Sequence, residues 1–469
     1  VQDAGMTDIL DRILAEIDAQ TDAARDRLVD WLRIPSISAQ PAHAADCLRA
    51  AEWARDHLAA IGFTAALRPT AGHPAVVAHH PGPGGNAPHL LFYGHYDVQP
   101  ADPLPLWHSA PFEPVIVEGP LGKRVVARGA VDDKGQVSMW LEALRAWHAV
   151  AGGPPCRVTV LLEGEEEVGS PSLDAFLAAN KAELAADVAV ISDTNMWDIA
   201  TPAITTRLRG MVYAQIDLHA ASRDLHSGLY GGAALNPINA LTRILGGLQD
   251  SEGRVQIPGF YDGVAEVSNA QAAEWASLGF DEAGFLSEIG LSHASGERGR
   301  GALERLWARP TADLNGIWGG YTGEGGKTVI AAEAHAKLSC RLVPGQDPAK
   351  VAEGIRRFVA DRLPPGARAE VQILNTTPGI EVPADSRFVA AARGALAAEY
   401  GKPAVLVGSG GSIPVVESLR RLLGLDSLLV GFGLNDDQVH SPNEKFELTC
   451  LHKGARSHAR MLAAFAALA

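Results

Sequence analysis

Four short apolar runs constrain what this chain can become: Leu90-Leu91-Phe92, Val158-Thr159-Val160-Leu161-Leu162, Val188-Ala189-Val190-Ile191 and Leu428-Leu429-Val430-Gly431-Phe432. Runs this short and this apolar suit strands buried on both faces, as in a mostly parallel sheet sandwiched by helices. Ligands of such sheets bind beyond the strands' carboxyl ends. Each run here leads to imidazole or carboxylate: His95 and Asp97, then Glu163 to Glu167, then Asp193, and finally His440 and Glu444. In extended backbone, residues two apart share a face, so His95 and Asp97 can project together.

At 469 residues the chain exceeds the size at which one core keeps growing, so two domains are expected. Helical spacing covers residues 8 to 32, stopping before Pro35, and 44 to 61, stopping at Gly62. Strand and helix patterns then alternate to about residue 200, which predicts an α/β domain. The texture changes near residue 205. Val212, Ala214, Ile216 and Leu218 alternate with polar neighbours, as do Ala334, Ala336, Leu338, Cys340 and Leu342, marking a sheet with one covered face. Helices near 235 to 248 and 347 to 363, the latter opened by Asp347-Pro348, and a strand at 371 to 374 complete an inserted α+β domain. The expected organisation is 6–204 for the first part of the α/β domain, 205–382 for the insert and 383–469 for the second part. Residues 250 to 312 give no assignment beyond some helix.

A net charge of −15 and the lack of a Lys/Arg cluster argue against nucleic acid or anionic membrane as partner, leaving a small molecule. Cys47, Cys156, Cys340 and Cys450 lie far apart with no C-x-x-C, so free, mostly buried thiols are expected rather than disulfides or a thiolate metal site. No apolar stretch reaches the ~18 residues of a membrane span and no secretory segment is recognised, so cytoplasm is the default location. The run Gly320 to Thr328 misses the phosphate-loop spacing by one residue, since Tyr321 stands where glycine is needed.

If Asp97, Asp132, Asp133, Glu165, Glu166, Glu167 and Asp193 gather with His95 and His440 at one sheet edge, their desolvated charges would each cost several kcal/mol. Divalent cations would remove that cost. Imidazole and carboxylate without thiolate favour zinc, with manganese or cobalt as alternatives. One carboxylate bridging two ions would make a pair ~3.5 to 4 Å apart. Taken singly, each signal is weak: a histidine at a strand end is usually just hydrogen-bonded, Asp-Asp usually caps a turn or helix, and a Glu triplet is usually a solvated face. Their ordered combination reverses that reading.

Gly94-His95-Tyr96-Asp97-Val98-Gln99-Pro100, Arg128-Gly129-Ala130-Val131-Asp132-Asp133-Lys134-Gly135, Glu163-Gly164-Glu165-Glu166-Glu167-Val168-Gly169-Ser170 and His440-Ser441-Pro442-Asn443-Glu444 resemble the dinuclear zinc exopeptidases. That family includes carnosinase, cytosolic nonspecific dipeptidase, aminoacylase and succinyl-diaminopimelate desuccinylase. Arg223 to Gly228, Ile257 to Asp262 and Gly319 to Gly325 are similar to its carnosinase and nonspecific dipeptidase branch. The resemblance implies a homodimeric hydrolase of dipeptides or similarly short amides holding two divalent metal ions per subunit. His95 and Asp193 would hold one ion, Glu167 and His440 the other, and Asp132 would bridge them. Asp97 would orient His95, Glu166 would be the general base, and the peptide between Asp132 and Asp133 would be cis. Counting back from Gly169-Ser170 sets these glutamate roles, although Glu165 shares a face with Glu167 if the backbone stays extended. His226 would act across the dimer interface on the oxyanion, Arg341 would clamp the substrate carboxylate, and Gly411 and Ser412 would offer backbone N–H groups nearby. Some relatives carry Arg or Glu just before the Gly-Gly pair, where this chain has Gly408 and Ser409. Two other readings stand beside this one: an amidohydrolase acting on N-acyl or N-carbamoyl amino acids, and a non-catalytic metal-binding regulatory protein on the same scaffold.

Overall fold

A computed structural model describes residues 2–411 and 413–469; Ser412 lies outside the described residues. The chain forms two compact units, one of Val1–Thr206, Val382–Val407 and Pro414–Ala469, the other of Arg207–Glu381 and Gly408–Ile413.

In the first unit the four apolar runs become neighbouring strands. The order runs Thr64–Arg68, Ala75–His80, Arg157–Glu163, His89–His95, Val188–Ile191, Ser427–Leu429 and Ala203–Leu208. The four from Arg157–Glu163 to Ser427–Leu429 are mutually parallel. The strands outside them pair antiparallel, so the sheet is mixed with a parallel centre. Burial follows this layout: every residue of His89–His95 is buried, whereas the outermost strand Thr64–Arg68 is partly exposed. Helices cover the sheet. Lys134–Ala151 is buried along most of its length and packs on Leu448–Ala466, where Trp147 Nε1 donates to the Ala459 carbonyl. The fully buried His458 sets its ring 4.7 Å from that of Trp140 in a tilted contact.

The stretch expected as one helix from 8 to 32 is two, Gln2–Ala19 and Thr21–Leu32. Gln20 leaves helical geometry at φ −99°, ψ 9°, and Thr21 Oγ1 donates back to the Asp18 carbonyl. This is the competition for backbone groups that makes threonine a poor helix interior residue.

The second unit is an antiparallel sheet in the order Thr311–Gly319, Glu333–Leu342, Gly210–His219, Arg368–Thr377. Val212, Ala214, Ile216 and Leu218 share a core with Ala336, Leu338 and Cys340, covered by Leu241 and Ile244 of helix Pro237–Gly246 and Ile355 and Phe358 of helix Pro348–Ala360. Both helices start at Pro behind an Asn or Asp whose side chain accepts the first free N–H groups. Residues 250 to 312 contain the short helices Asn269–Ser277, Glu282–Glu288 and Ala302–Trp307. All four cysteines are free and buried, and no helix among the described residues is long and apolar enough to cross a membrane.

Candidate metal centre

The parallel strands deliver their terminal residues to one place in the first unit. His95 ends its strand, and its Nε2 lies 3.1 Å from Asp132 Oδ1 and 3.9 Å from Asp193 Oδ2. The other oxygen of Asp132, Oδ2, lies 2.9 Å from His440 Nε2, which is also 3.2 Å from Glu167 Oε2. Two triads result, His95, Asp132, Asp193 and Asp132, Glu167, His440, each able to hold a metal ion, with Asp132 common to both. The peptide joining Asp132 and Asp133 is cis, as the resemblance implied.

Asp97 lies under the first triad. Its carboxylate stands 3.3 Å from His95 Nδ1, whose ring also contacts the Asp97 carbonyl at 3.1 Å, and it accepts the Glu167 N–H and the Ser38 hydroxyl. His95 is thus held from its Nδ1 side, which turns Nε2 toward Asp132 and Asp193. Glu166 opens a short 3₁₀ turn, Glu166–Val168, after the strand ends. Because the backbone has left extended geometry, Glu165 does not share a face with Glu167; its carboxylate packs against Gly72, where a Cβ would meet Glu165 Oε1 at 1.8 Å.

The electrostatics show a donor set that lacks positive charge. Burial, with the charges of Asp132 and Asp133, lifts Asp193 well above the carboxylate range, and burial with Asp132 lifts Glu167 to about 7. Glu166 is raised by burial, the imidazoles opposing and Asp132 and Asp97 reinforcing. Burial alone would raise Asp132 as well, but its hydrogen bond with His440 and the close His95 imidazole hold it low. His440 is correspondingly raised to about 10 by Asp132 and Glu167. Although burial opposes it, His95 too is raised, by Asp132 and Asp97. Protons gather where carboxylates and imidazoles crowd, which is the work a divalent cation performs in such a cluster. His95 Nε2 is the sharpest fit test: fully buried, it faces Asp132 without the alignment of a hydrogen bond. A ring nitrogen buried among carboxylate oxygens with no hydrogen-bond partner suits a metal ligand.

Three supporting residues carry no role in the sequence reading. Glu444 accepts four donors: Arg128 Nη1 at 2.7 Å and Gly129 N at 2.9 Å on Oε2, Val131 N at 2.9 Å and Asp132 N at 3.1 Å on Oε1. It therefore fixes the backbone that presents Asp132. Gln99 donates through its backbone N–H and its side chain to the Glu167 carboxylate. All three, Glu444, Arg128 and Gln99, lie within the quoted motifs, which was the available signal. The loop to His440 is tense: Gln438, His440 and Asn443 have φ of 56°, 60° and 65°, a region non-glycine residues seldom adopt outside functional sites.

The remaining expected residues lie in the second unit. His226 is exposed, and its Nδ1 accepts the Gly228 N–H at 3.0 Å. Arg341 is on the strand Glu333–Leu342, opposite Met211. Gly411 donates its N–H to Ser409 Oγ at 3.1 Å, and its carbonyl accepts the Arg209 N–H. Segment 408–413 thus groups with this unit, although the sequence placed it with 383–469. Gly408, standing before the Gly-Gly pair, abuts Trp307: a Cβ there would lie 2.5 Å from Trp307 Cβ, so a larger residue has no room.

Comparison with known proteins follows the same lines. The chain is 30% identical over 459 residues to Cys-Gly metallodipeptidase DUG1 of Candida albicans, covering 92% of each. It is 28% identical over 456 residues to human Beta-Ala-His dipeptidase, covering 93% of this chain and 89% of that one. Among solved structures, human carnosine dipeptidase 1 superposes with a TM-score of 0.79 at 28% identity, covering 98% of this chain and 99% of that one. The M20 family metallo-carboxypeptidase Sso-CP2 of Sulfolobus solfataricus superposes with 0.81 at 29% identity, covering 95% and 99%. The profile of Peptidase family M20/M25/M40 matches residues 91–464. With that match across most of its length, and with the motif residues gathered as two metal-ligand triads, this chain belongs to peptidase family M20/M25/M40.

Proposed function

We propose that this enzyme hydrolyses dipeptides or similarly short peptides at the bond next to a free C-terminal carboxylate, using two divalent cations, most simply zinc, per subunit. The observation that carries the proposal is Asp132, whose two oxygens face different histidines, His95 and His440. His95, Asp193 and Asp132 would hold one cation, and Glu167, His440 and Asp132 the other. Bound there, the cations supply Lewis acidity and bring a water's pKa toward neutrality.

Glu166 takes the proton released as water attacks the scissile carbonyl and passes it to the departing amine. Its pKa is raised, mainly by burial, the direction that helps a carboxylate accept and return a proton. Asp97 keeps the His95 ring in place and fixes its tautomer. His226, whose Nδ1 already accepts a hydrogen bond, keeps Nε2 as its donor in the neutral form, and we assign that donor to the developing oxyanion of a partner subunit in a homodimer. Arg341 pairs with the substrate's carboxylate. The Gly411 N–H serves the same group by exchanging Ser409 Oγ for a charged acceptor, the stronger partner. Relatives whose names specify dipeptides favour this substrate class over N-acyl or N-carbamoyl amino acids. The free thiols fit a reducing compartment, and we place the enzyme in the cytoplasm.

The test pairs elemental analysis with hydrolysis of a dipeptide panel, before and after chelation, alongside N-acetyl and N-carbamoyl substrates. Two metal equivalents and chelator-sensitive dipeptide cleavage are expected. Glu166→Ala should keep its metals yet lose turnover by orders of magnitude. Full activity in that variant refutes the assignment of the base.

A further inference from the structure

Arg209 has no place in the reading above, yet it sits beside the residues assigned to the substrate carboxylate. It joins the strands Ala203–Leu208 and Gly210–His219. Its Nε donates to the Gly410 carbonyl at 3.2 Å, and its backbone N–H donates to the Gly411 carbonyl at 3.2 Å. One residue thus grips consecutive carbonyls of the glycine loop with side chain and main chain. Across a trans peptide the C=O and the following N–H point in opposite directions. Turning the Gly410 carbonyl toward Arg209 therefore turns the Gly411 N–H away from it, to the side where Ser409 Oγ meets it. Gly410 itself is shaped to this contact, since a Cβ there would come within 3.2 Å of Arg209 Nη2.

A second observation concerns charge. Among the described residues neither Arg209 nor Arg341 forms an ion pair within 4.0 Å. Burial first and the nearby charge of Arg341 second draw Arg209 down to about 10, opposed by Asp313. Arg209 remains charged at neutral pH. Like-charged guanidiniums held near one another with no carboxylate in ion-pair range form a site that gains when a carboxylate enters.

We infer that Arg209 is a positioning residue for substrate specificity: it locks the Gly410-Gly411 turn onto the unit that carries Arg341, so that a free carboxylate meets an amide and a guanidinium in one fixed frame. The inference rests on the proposed peptidase activity. It explains why the glycine loop groups with the second unit although the chain on both sides of it belongs to the first.

The experiment compares each dipeptide with its C-terminal amide in wild type, Arg209→Met and Arg209→Lys, with hydrogen exchange of segment 408–413 measured in parallel. In both variants KM for the dipeptide should rise about tenfold or more with kcat little changed, while the amide is cleaved as by wild type. The preference for the free carboxylate then collapses. Lys keeps the charge but lacks the Nε donor, so it should not restore the preference. Exchange in 408–413 should quicken with the rest of the unit unchanged. Preserved discrimination in Arg209→Met, equal losses on both substrates, rescue by Lys, or an unaltered exchange rate in 408–413 would each overturn the inference. A wild type that cleaves no dipeptide, or cleaves acid and amide alike, brings down the proposed function and this inference with it.

Discussion

Glu444 offers the most demanding test of how the metal-ligand backbone is held. Its side chain is 1% exposed and that of its partner Arg128 is 2% exposed, and the carboxylate accepts three backbone N–H groups besides the guanidinium. Glu444→Gln replaces one oxygen by an NH₂ group, so one pair of donors confronts another donor and the buried Arg128 loses its counter-charge. Breaking a buried ion pair costs about 3–5 kcal/mol, and each orphaned buried N–H adds about 1–3 kcal/mol, less than additively. We expect a total near 5 kcal/mol, a fall in Tm of roughly 10 °C at ~2 °C per kcal/mol for a domain of this size. Arg128→Met should cost less, because Glu444 keeps its three amide donors. The decisive variant is the double Arg128→Met, Glu444→Leu. Were the site only an ion pair, apolar replacement of both partners would be nearly neutral. Here three amides stay unmet, and the double variant should remain at least about 3 kcal/mol below wild type. Calorimetric unfolding that finds it as stable as wild type refutes the claim that Glu444 serves the backbone.

The other predictions follow from single contacts. Asp132→Ala should deplete both metal equivalents after gel filtration while Asp193→Ala loses one, by elemental analysis; full metal content in Asp132→Ala would contradict the shared-ligand reading. A Cβ on Gly431 would lie 2.3 Å from the Ser192 carbonyl and 1.9 Å from that of Thr194. Gly431→Ala must therefore displace the backbone on both sides of Asp193 and weaken metal retention, measured by competition with a chelator. His458 is buried and neutral, its pKa drawn down to about 3 by desolvation from an ordinary 6.5. The unfolded chain binds its proton below pH 6.5 and the folded chain does not until about 3, so stability falls as pH drops from 6.5. At pH 5 that loss is roughly 2 kcal/mol. His458→Gln should remove it, and an unchanged slope of unfolding midpoint against pH would show that His458 does not contribute.

Legibility in the sequence tracked physical range. The central strands could be read because burial on both faces leaves an uninterrupted apolar run, and the second unit's sheet because one covered face leaves strict alternation at Val212 to Leu218. The antiparallel flanks leave no such signature: Thr64–Arg68 is half exposed and short. The break at Gln20 depends on a local hydrogen bond from Thr21, invisible to periodicity. Between Glu165 and Glu167, periodicity assumed an extended backbone that ends at Glu163. The bond from Glu444 to Asp132 spans 312 positions, so nothing local could announce it. Gly408 likewise owes its smallness to Trp307, about a hundred positions earlier in a stretch of short helices.

That 312-position span also sets a timetable. A ribosome making this polypeptide at ~5–20 residues per second releases Asp132 tens of seconds before Glu444 exists to receive its amide. In between, the whole second unit is translated. The first unit must wait, its half-built sheet lacking the strand Ser427–Leu429 and the helix Leu448–Ala466. Nascent chains halted after Asp193 but before Glu444 would carry most of the acidic ligands but nothing to cap the loop that presents them, so the centre matures only once Glu444 has been made.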